Sequence, residues 1–226
     1  MVDGGVDLLI PVKMLHAAKS RLLGALDGGA RDPRLHSSLV IALALDTATA
    51  AREAVGVRRV HVLTADSTTA AAVRADGFSV VTDHHDAGLN AALRHGSEWL
   101  RNHVGADRIG ALQADLPALT ALELGAAIAA AGQSRGFCPD RQGTGTTFLL
   151  AARGEALDPR FGVGSARRHR EAGAVELRGS WPTLRCDVDT AADLGEAASL
   201  GLGPRTAELF ERADQVGARR PARRGA

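Results

Sequence analysis

Three aspartates stand where their carboxylates could share one metal ion. Asp115 follows the apolar run 109–112 and precedes a Leu-Pro pair, so it lies at the carboxyl end of a predicted buried parallel strand. Asp187 and Asp189 are two positions apart in a later run, and alternation along a strand would point both to one side. Ligands of open α/β sheets bind at the carboxyl edge of the strands. Carboxylates that converge there suit a hard divalent cation, most simply Mg²⁺.

The start of the chain strengthens this hypothesis against a simpler one, in which the aspartates only cap helices or form turns. Of the 27 basic residues only two are lysines, Lys13 and Lys19, and both follow the predicted first strand, with Arg21 close behind. Lysine ammonium groups suit a flexible phosphate chain. The segment is not a Walker A motif, because Ala18 stands where that motif has glycine before its lysine, and it is not a GxGxxG loop.

Two further segments could bind a second, smaller anion. Residues 140–147 place glycines among threonines, including Thr146 and Thr147, and could hold a phosphate or carboxylate or form a hairpin turn. Ser165 closes a glycine-rich segment that contains Gly162, and is the predicted N-cap of a short helix. Free N–H groups at that helix start would bind an anion, unless this is an ordinary capped surface helix. The side chains that could reinforce the site follow directly: Arg167, Arg168 and His169.

Two other polar features have more than one interpretation. Asn90, at the start of a predicted helix, could cap that helix or hydrogen-bond a purine base. His84, His85 and Asp86 invite a metal interpretation, but adjacent histidines point in different directions and a third ligand is not evident. We therefore interpret this segment as a solvated turn.

Strand and helix signals alternate along most of the chain. Apolar runs predict strands at 6–12, 59–64, 78–82, 109–112, 135–139, 148–152, 175–178 and 184–188. Caps and apolar faces predict helices at 33–54, 69–75, from 89, 121–131, after 165, 191–200 and after 204. This order predicts an α/β fold with a mostly parallel central sheet flanked by helices. We expect one domain over residues 1–215 and a basic, disordered tail over 216–226.

Composition excludes several classes of function. The net charge of +1 argues against a dedicated nucleic-acid binder, and no run of 18 apolar residues predicts a membrane span. The amino terminus lacks the pattern of a secretory signal. Cys138 and Cys186 have no zinc-site spacing, so a reduced cytoplasmic protein with two buried thiols is expected. The oligomeric state stays open.

Together these features suit phosphoryl or nucleotidyl transfer. Basic residues would hold a nucleoside triphosphate, the carboxylates a Mg²⁺ ion, and the two glycine-containing segments a smaller anionic acceptor. No Ser-His-Asp or Cys-His arrangement is evident in the sequence. None is required if the acceptor is a phosphate, since its second pKa of about 6 leaves it largely ionised at neutral pH.

The same residues resemble the 2-phospho-L-lactate guanylyltransferase family of coenzyme F420 biosynthesis. Seven motifs carry the resemblance, in order from about residue 7 to 206. They are Ile10-Pro11-Val12-Lys13 with Lys19-Ser20-Arg21-Leu22; Gly88-Leu89-Asn90; Leu112 to Pro117; Asp140-Arg141; Gly143-Thr144-Gly145-Thr146; Phe161-Gly162 with Ser165 and His169; and Asp187-Val188-Asp189-Thr190. The resemblance implies a nucleotidyltransferase fold similar to the GT-A type.

It also implies a reaction. A three-carbon phosphate attacks the α-phosphorus of GTP and releases pyrophosphate. The acceptor is phosphoenolpyruvate in members from GC-rich actinobacteria and 2-phospholactate in archaeal members, and the Arg- and Ala-rich composition favours the former. The resemblance implies roles for the following residues: Asp115, Asp187 and Asp189 for Mg²⁺; Lys13, Lys19 and Arg21 for the triphosphate; Thr146 or Thr147, Gly162 and Ser165 for phosphoenolpyruvate.

Departures and rival functions qualify this interpretation. Thr147 stands where many members have Asn, so the resemblance does not decide between Thr146 and Thr147, and Ala191 replaces a frequent Pro. A molybdenum-cofactor guanylyltransferase would have a glycine-rich segment directly after the first strand, where this chain has Lys13. A non-catalytic nucleotide-binding module would not need paired carboxylates. A GT-A glycosyltransferase often has aromatic platforms, and only 3% of residues are aromatic.

Overall fold

The computed structural model describes residues 5–12, 20–82 and 88–218. Its strands are β1 Val6–Pro11, β2 Val57–Thr64, β3 Ser79–Thr82, β4 Ile109–Leu112, β5 Gly136–Pro139, β6 Thr146–Leu150 and β7 Val175–Glu176. Its helices are α1 Pro33–Glu53, α2 Ser67–Ala75, α3 Leu89–Val104, α4 Ala121–Ala131, α5 Ser165–Glu171, α6 Pro182–Arg185, α7 Ala191–Leu200 and α8 Pro204–Ala218. A 3₁₀ turn covers Ser20–Leu22.

The strands form one seven-stranded sheet in the order β3-β2-β1-β4-β6-β5-β7. Strand β6 runs antiparallel to both of its neighbours, β4 and β5, whereas the other pairs are parallel. The predicted mostly parallel sheet with flanking helices is therefore confirmed. The chain leaves β1 towards β2 and later returns to β4 on the other side of β1. The carboxyl ends of β1 and β4 consequently form the switch point of the sheet, where ligands of such folds bind.

Apolar side chains cover both faces of this sheet. One layer packs α1 and α4 against the sheet, and a second layer packs α3 against the opposite face. A third cluster joins α1, α7 and α8, and it contains the fully buried Val188. Cys138 and Cys186 are buried free thiols, as predicted, and burial raises the pKa of Cys138 to about 11.

Local signals account for several helix boundaries. Helix α1 begins after Asp32, whose carboxylate accepts the Arg34 backbone N–H at 2.8 Å, and Pro33 occupies the first helical turn. Helix α7 begins with a capping box between Thr190 and Asp193, which confirms Thr190 as the predicted cap. Helix α8 extends to Ala218, and residues 219–226 of the predicted tail lie outside the described residues. No helix in the described ranges is long and apolar enough to cross a membrane.

Candidate active site

Asp115 lies in a short segment that follows the carboxyl end of β4. The residue is buried, with only 6% of its surface exposed. The fully buried Thr47 of α1 positions this segment, because its hydroxyl oxygen accepts the Leu116 N–H at 3.0 Å and its hydrogen is donated to Leu43 O at 2.8 Å. Gln113 N–H donates to Thr147 O at 2.9 Å and extends the pairing of β4 with β6 beyond the strand. Sequence reasoning missed Thr47, whose only signal is a polar residue within an Ala- and Leu-rich helix.

The strand predicted at 184–188 is wrong. Residues Pro182–Arg185 form the short helix α6 instead, and the chain is irregular from 186 to 190. Proline at the first helical turn costs no hydrogen bond. A glutamate from α4 then satisfies the new helix start: Glu123 Oε2 accepts the N–H groups of Thr183 at 2.8 Å and Leu184 at 3.1 Å. This contact spans 60 residues of sequence, so no local pattern reports it.

The turn after α6 brings the backbone of the segment that carries Asp187 and Asp189 to the backbone of Asp115. Val188 N–H donates to Asp115 O at 3.0 Å, so the two segments run side by side at the edge of the sheet. Val188 is fully buried, whereas Asp187 is partly exposed and Asp189 is exposed. The burial of Val188 between two more exposed aspartates agrees with alternation, although these residues are not in a strand. That both carboxylates face one metal ion stays a prediction.

The donor set suits Mg²⁺, but it is not a finished cage. Within residues 5–12, 20–82 and 88–218, no group of three or more His, Cys, Asp or Glu side chains is arranged to hold a metal ion. Mg²⁺ usually keeps several water ligands and is bound through one or two carboxylates together with substrate phosphates, so a preformed cage is not required. Asp115, Asp187 and Asp189 supply only oxygen donors, which fits this hard cation.

The glycine- and threonine-rich segment is the hairpin turn between β5 and β6. The buried carboxylate of Asp140 holds it, since it accepts the N–H groups of Thr144 at 2.9 Å and Gly145 at 2.7 Å. A Cβ atom at Gly145 would lie 2.2 Å from Asp140 Oδ2, so only glycine permits this approach. Arg141 joins the hairpin to the elements on either side of Asp187 and Asp189. Its backbone N–H donates to Arg185 O at 2.9 Å at the end of α6, and its guanidinium pairs with Asp193 of α7. Whether this hairpin binds an anion stays a prediction.

Thr146 and Thr147 lie on opposite faces of β6. Thr146 Oγ1 contacts Ser165 Oγ at 3.1 Å and His169 Nδ1 at 2.9 Å, so it belongs with the second predicted anion segment. Thr147 is fully buried, and its hydroxyl donates to Cys138 O at 3.4 Å on the other side. The structure therefore groups Thr146, and not Thr147, with Ser165.

The predicted helix start at Ser165 needs two corrections. The N-cap of α5 is Gly164, and Ser165 is the first helical residue. The expected free N–H groups are also partly used, because Ser165 N–H donates to Gly162 O at 3.0 Å and Ala166 N–H donates to Thr144 O at 3.1 Å. Side-chain hydroxyls, and not these two N–H groups, are thus the donors that an anion could meet here.

Asn90 does not cap its helix, because the N-cap of α3 is Gly88 and no side chain caps it. The amide instead pairs with the backbone of Phe161: Nδ2 donates to Phe161 O at 3.0 Å, and Oδ1 accepts Phe161 N–H at 2.8 Å. Arg168 donates to the same carbonyl at 3.0 Å. These contacts anchor the segment that carries Gly162, where φ is +113°. The predicted contact of Asn90 with a base is not tested.

The predicted basic residues are only partly described. Lys13 and Lys19 lie outside the described residues, as do His84, His85 and Asp86 of the predicted turn. Arg21 is exposed. The basic residues of α5 do not form one cluster. Arg167 pairs with Glu171 at 3.4 Å, whereas His169 is buried, with 1% of its surface exposed. Burial lowers the pKa of His169 to about 4, so this side chain is neutral and adds no positive charge to the site.

Comparison with known proteins places this architecture in a class. The MobA-like NTP transferase domain family matches residues 36–177. Solved structures share the fold: a candidate nucleotide-diphospho-sugar transferase from Desulfovibrio desulfuricans G20 has a TM-score of 0.67 at 17% identity and covers 93% of this chain and 96% of its own. A 4-diphosphocytidyl-2C-methyl-D-erythritol synthase has a TM-score of 0.58 at 15% identity, with coverage of 88% and 99%. The solved structures show a shared fold, and the family match over more than half of the chain makes this protein a nucleotidyltransferase.

Sequence relatives narrow the class. A phosphoenolpyruvate guanylyltransferase from Salinispora arenicola is 49% identical over 89% of this chain and 92% of its own length. Proteins with the same name are 47% identical in Geodermatophilus obscurus, over 90% of this chain and 93% of their own, and 46% identical in Mycobacterium marinum, over 91% and 94%. The chain belongs to the phosphoenolpyruvate guanylyltransferase family, which confirms the resemblance inferred from its motifs.

Proposed function

We propose that this protein transfers a guanylyl group from GTP to the phosphate of phosphoenolpyruvate, giving enolpyruvyl-diphospho-guanosine and pyrophosphate for coenzyme F420 biosynthesis. One observation carries the proposal: the Val188 N–H bond to Asp115 O at 3.0 Å, which brings two carboxylate segments together beside the switch point of the sheet. The names of the relatives support phosphoenolpyruvate over 2-phospholactate and over a molybdenum cofactor. We expect the reaction in the cytoplasm.

The proposed chemistry is an in-line displacement. An acceptor phosphate oxygen forms a bond to the α-phosphorus of GTP, the bond from that phosphorus to the bridging oxygen breaks, and pyrophosphate leaves with the electron pair. No side chain needs to remove a proton, because the attacking phosphate is ionised. The protein therefore contributes position and charge, which provide most of the catalysis in such transfers.

Named residues divide this work. Asp115, Asp187 and Asp189 would hold Mg²⁺, which when bound neutralises charge on the phosphates. Lys13, Lys19 and Arg21 would meet the triphosphate as it enters beside β1. The acceptor segment, formed by Thr146, Gly162 and Ser165, would hold phosphoenolpyruvate through hydroxyl donors.

Pyrophosphate release tests the proposal directly. The purified protein is incubated with Mg²⁺ and either GTP or ATP, together with phosphoenolpyruvate, 2-phospho-L-lactate or no acceptor. We expect release that requires both GTP and phosphoenolpyruvate, and a loss of at least about 100-fold in kcat for Asp115→Asn. The matched control is Asp107→Asn, near the amino end of the same strand, where an exposed carboxylate pairs with Arg153 at 2.5 Å.

Two results would contradict the proposal. Absence of release with either acceptor, from folded protein that binds GTP, would favour a nucleotide-binding module without catalysis. Full activity in Asp115→Asn would show that the Asp115 carboxylate is not a ligand of the metal ion. Omission of Mg²⁺ together with chelator addition should abolish release, and activity that survives would reject the metal assignment.

A further inference from the structure

His169 lies at the centre of a buried network that joins three segments of the acceptor site. Its Nε2 accepts the backbone N–H of Arg160 at 2.9 Å, and its Nδ1 lies 2.9 Å from Thr146 Oγ1. Thr146 Oγ1 in turn contacts Ser165 Oγ at 3.1 Å. Both ring nitrogens are used by the contacts with Arg160 and Thr146, so His169 has no nitrogen left to bind a substrate itself. Any role in the reaction must pass through Thr146.

The backbone of Arg160 determines which nitrogen of His169 carries the hydrogen. A backbone N–H can only donate, so Nε2 must be the acceptor and must lack a hydrogen. The ring is neutral, because burial lowers its pKa to about 4. Its one hydrogen is therefore on Nδ1, and Nδ1–H donates to Thr146 Oγ1.

A count of hydrogens shows what this tautomer does to the hydroxyl pair. The contact between His169 and Thr146 uses the imidazole hydrogen, and the contact between Thr146 and Ser165 uses one hydroxyl hydrogen, whichever hydroxyl donates it. One hydroxyl hydrogen is left, and within the described ranges neither hydroxyl has a further hydrogen-bond partner. With the opposite tautomer Thr146 would donate to His169, and no hydrogen would be left.

The ring itself is held in this orientation from several sides. Phe161 meets it edge-on with ring centroids 5.2 Å apart, and Phe137 lies 5.8 Å away on another element. Asn90 and Arg168 both bind the Phe161 backbone, so the segment that supplies the Arg160 N–H is anchored next to it. The hydroxyl pair therefore does not have to be ordered when a ligand arrives.

We propose that His169 is a positioning residue: by donating to Thr146, it leaves the Thr146–Ser165 pair with one hydroxyl hydrogen for an anionic oxygen of the three-carbon acceptor. The inference rests on the proposed function and adds to it the reason why two neutral hydroxyls can select an anion. A phosphate or carboxylate oxygen accepts such a hydrogen without a competing hydrogen of its own.

Steady-state kinetics with separate titrations of phosphoenolpyruvate and GTP tests this role. His169→Leu removes the donor to Thr146 and keeps an apolar side chain, whereas His169→Asn places an amide N–H near the position of Nδ1. His169→Leu keeps one free hydroxyl hydrogen, because leucine accepts none, but it removes the donor that orients Thr146. We therefore expect the KM for phosphoenolpyruvate to rise about 5- to 10-fold, as for one lost neutral hydrogen bond, with the KM for GTP unchanged. His169→Asn should return to within about 2-fold of the wild type, since it keeps a donor to Thr146.

A double-mutant cycle separates positioning from packing. Thr146→Val removes the hydroxyl through which His169 acts, so His169→Leu should add less than about 2-fold to the KM of a Thr146→Val protein. If His169→Leu fails to fold, His169→Phe takes its place in both tests, because it keeps a ring and likewise lacks the donor.

The outcomes distinguish this inference from the proposed function. A wild-type protein that releases no pyrophosphate with phosphoenolpyruvate refutes the function. An active wild type with an unchanged acceptor KM in folded His169→Leu overturns only the positioning role. Equal rises in the KM of both substrates, without rescue by Asn, would likewise overturn it and assign His169 to packing.

Discussion

Mild acid should weaken the fold through one buried histidine. Burial is the main cause that lowers the pKa of His169 from 6.5 to about 4, and Arg168, Arg135 and Arg160 lower it further against the opposing effect of Asp158. In the unfolded chain the imidazole takes up a proton near its ordinary pKa, but in the folded protein it stays neutral down to about pH 4. The unfolded state therefore binds more protons between these values. Stability is complete above the unfolded pKa and falls as the pH drops through this window.

The size of the effect follows from the two pKa values. With 6.5 in the unfolded chain and about 4 in the folded protein, linkage gives a loss of about 2 kcal/mol in the free energy of unfolding between pH 7 and pH 5. Carboxylates contribute little in this window. Asp7 and Asp193, for example, have an ordinary pKa of 3.8 that folding lowers, so they are ionised in both states at pH 5.

Urea unfolding at pH 7, 6 and 5 measures this loss for the wild type, His169→Gln and His103→Gln. The His169→Gln protein has no imidazole at this position, so its free energy of unfolding should change by about 2 kcal/mol less than that of the wild type. His103 is exposed, and its variant should follow the wild type. Equal losses in the wild type and His169→Gln would refute a neutral, buried His169, and the hydrogen count at Thr146 would fail with it.

Three further substitutions test how the site is held. Gly145→Ala should destabilise the fold by about 2 kcal/mol, because its Cβ would displace the Asp140 carboxylate from two backbone N–H groups. The control is Gly195→Ala in α7, whose Cβ would meet no atom within 4 Å, and it should be neutral or stabilising. Glu123→Ala should lower the free energy of unfolding by about 2 kcal/mol, as measured by thermal unfolding, because it leaves the start of α6 uncapped. It should also reduce activity at temperatures where the variant stays folded, because α6 leads directly into the segment with Asp187 and Asp189. Thr190→Ala should cost about 1 kcal/mol through the lost capping box, and no change would mean that the cap is redundant.

Much of this protein could be predicted from its sequence because the relevant interactions are local. The caps at Asp32 and Thr190 bind N–H groups two or three residues away, so the helices that they start were predicted correctly. Apolar runs bounded by polar turns correctly predicted the main strands. Their alternation with helices predicted the mostly parallel sheet. Short motifs in order were sufficient for the family, which the relatives confirm.

Only the tertiary structure decided what depends on contacts between distant segments. The segment at 184–188 has the apolar content of a strand, but Glu123 stabilises a helix start there from 60 residues away. Asn90 was predicted to cap its helix or to bind a base; it does not cap the helix, and its amide nitrogen and oxygen both bond a backbone 71 residues away. The tautomer of His169 and the choice of Thr146 over Thr147 likewise follow from which groups the fold buries together. A sequence pattern records propensity and spacing, whereas burial and long-range hydrogen bonds exist only once the chain has folded.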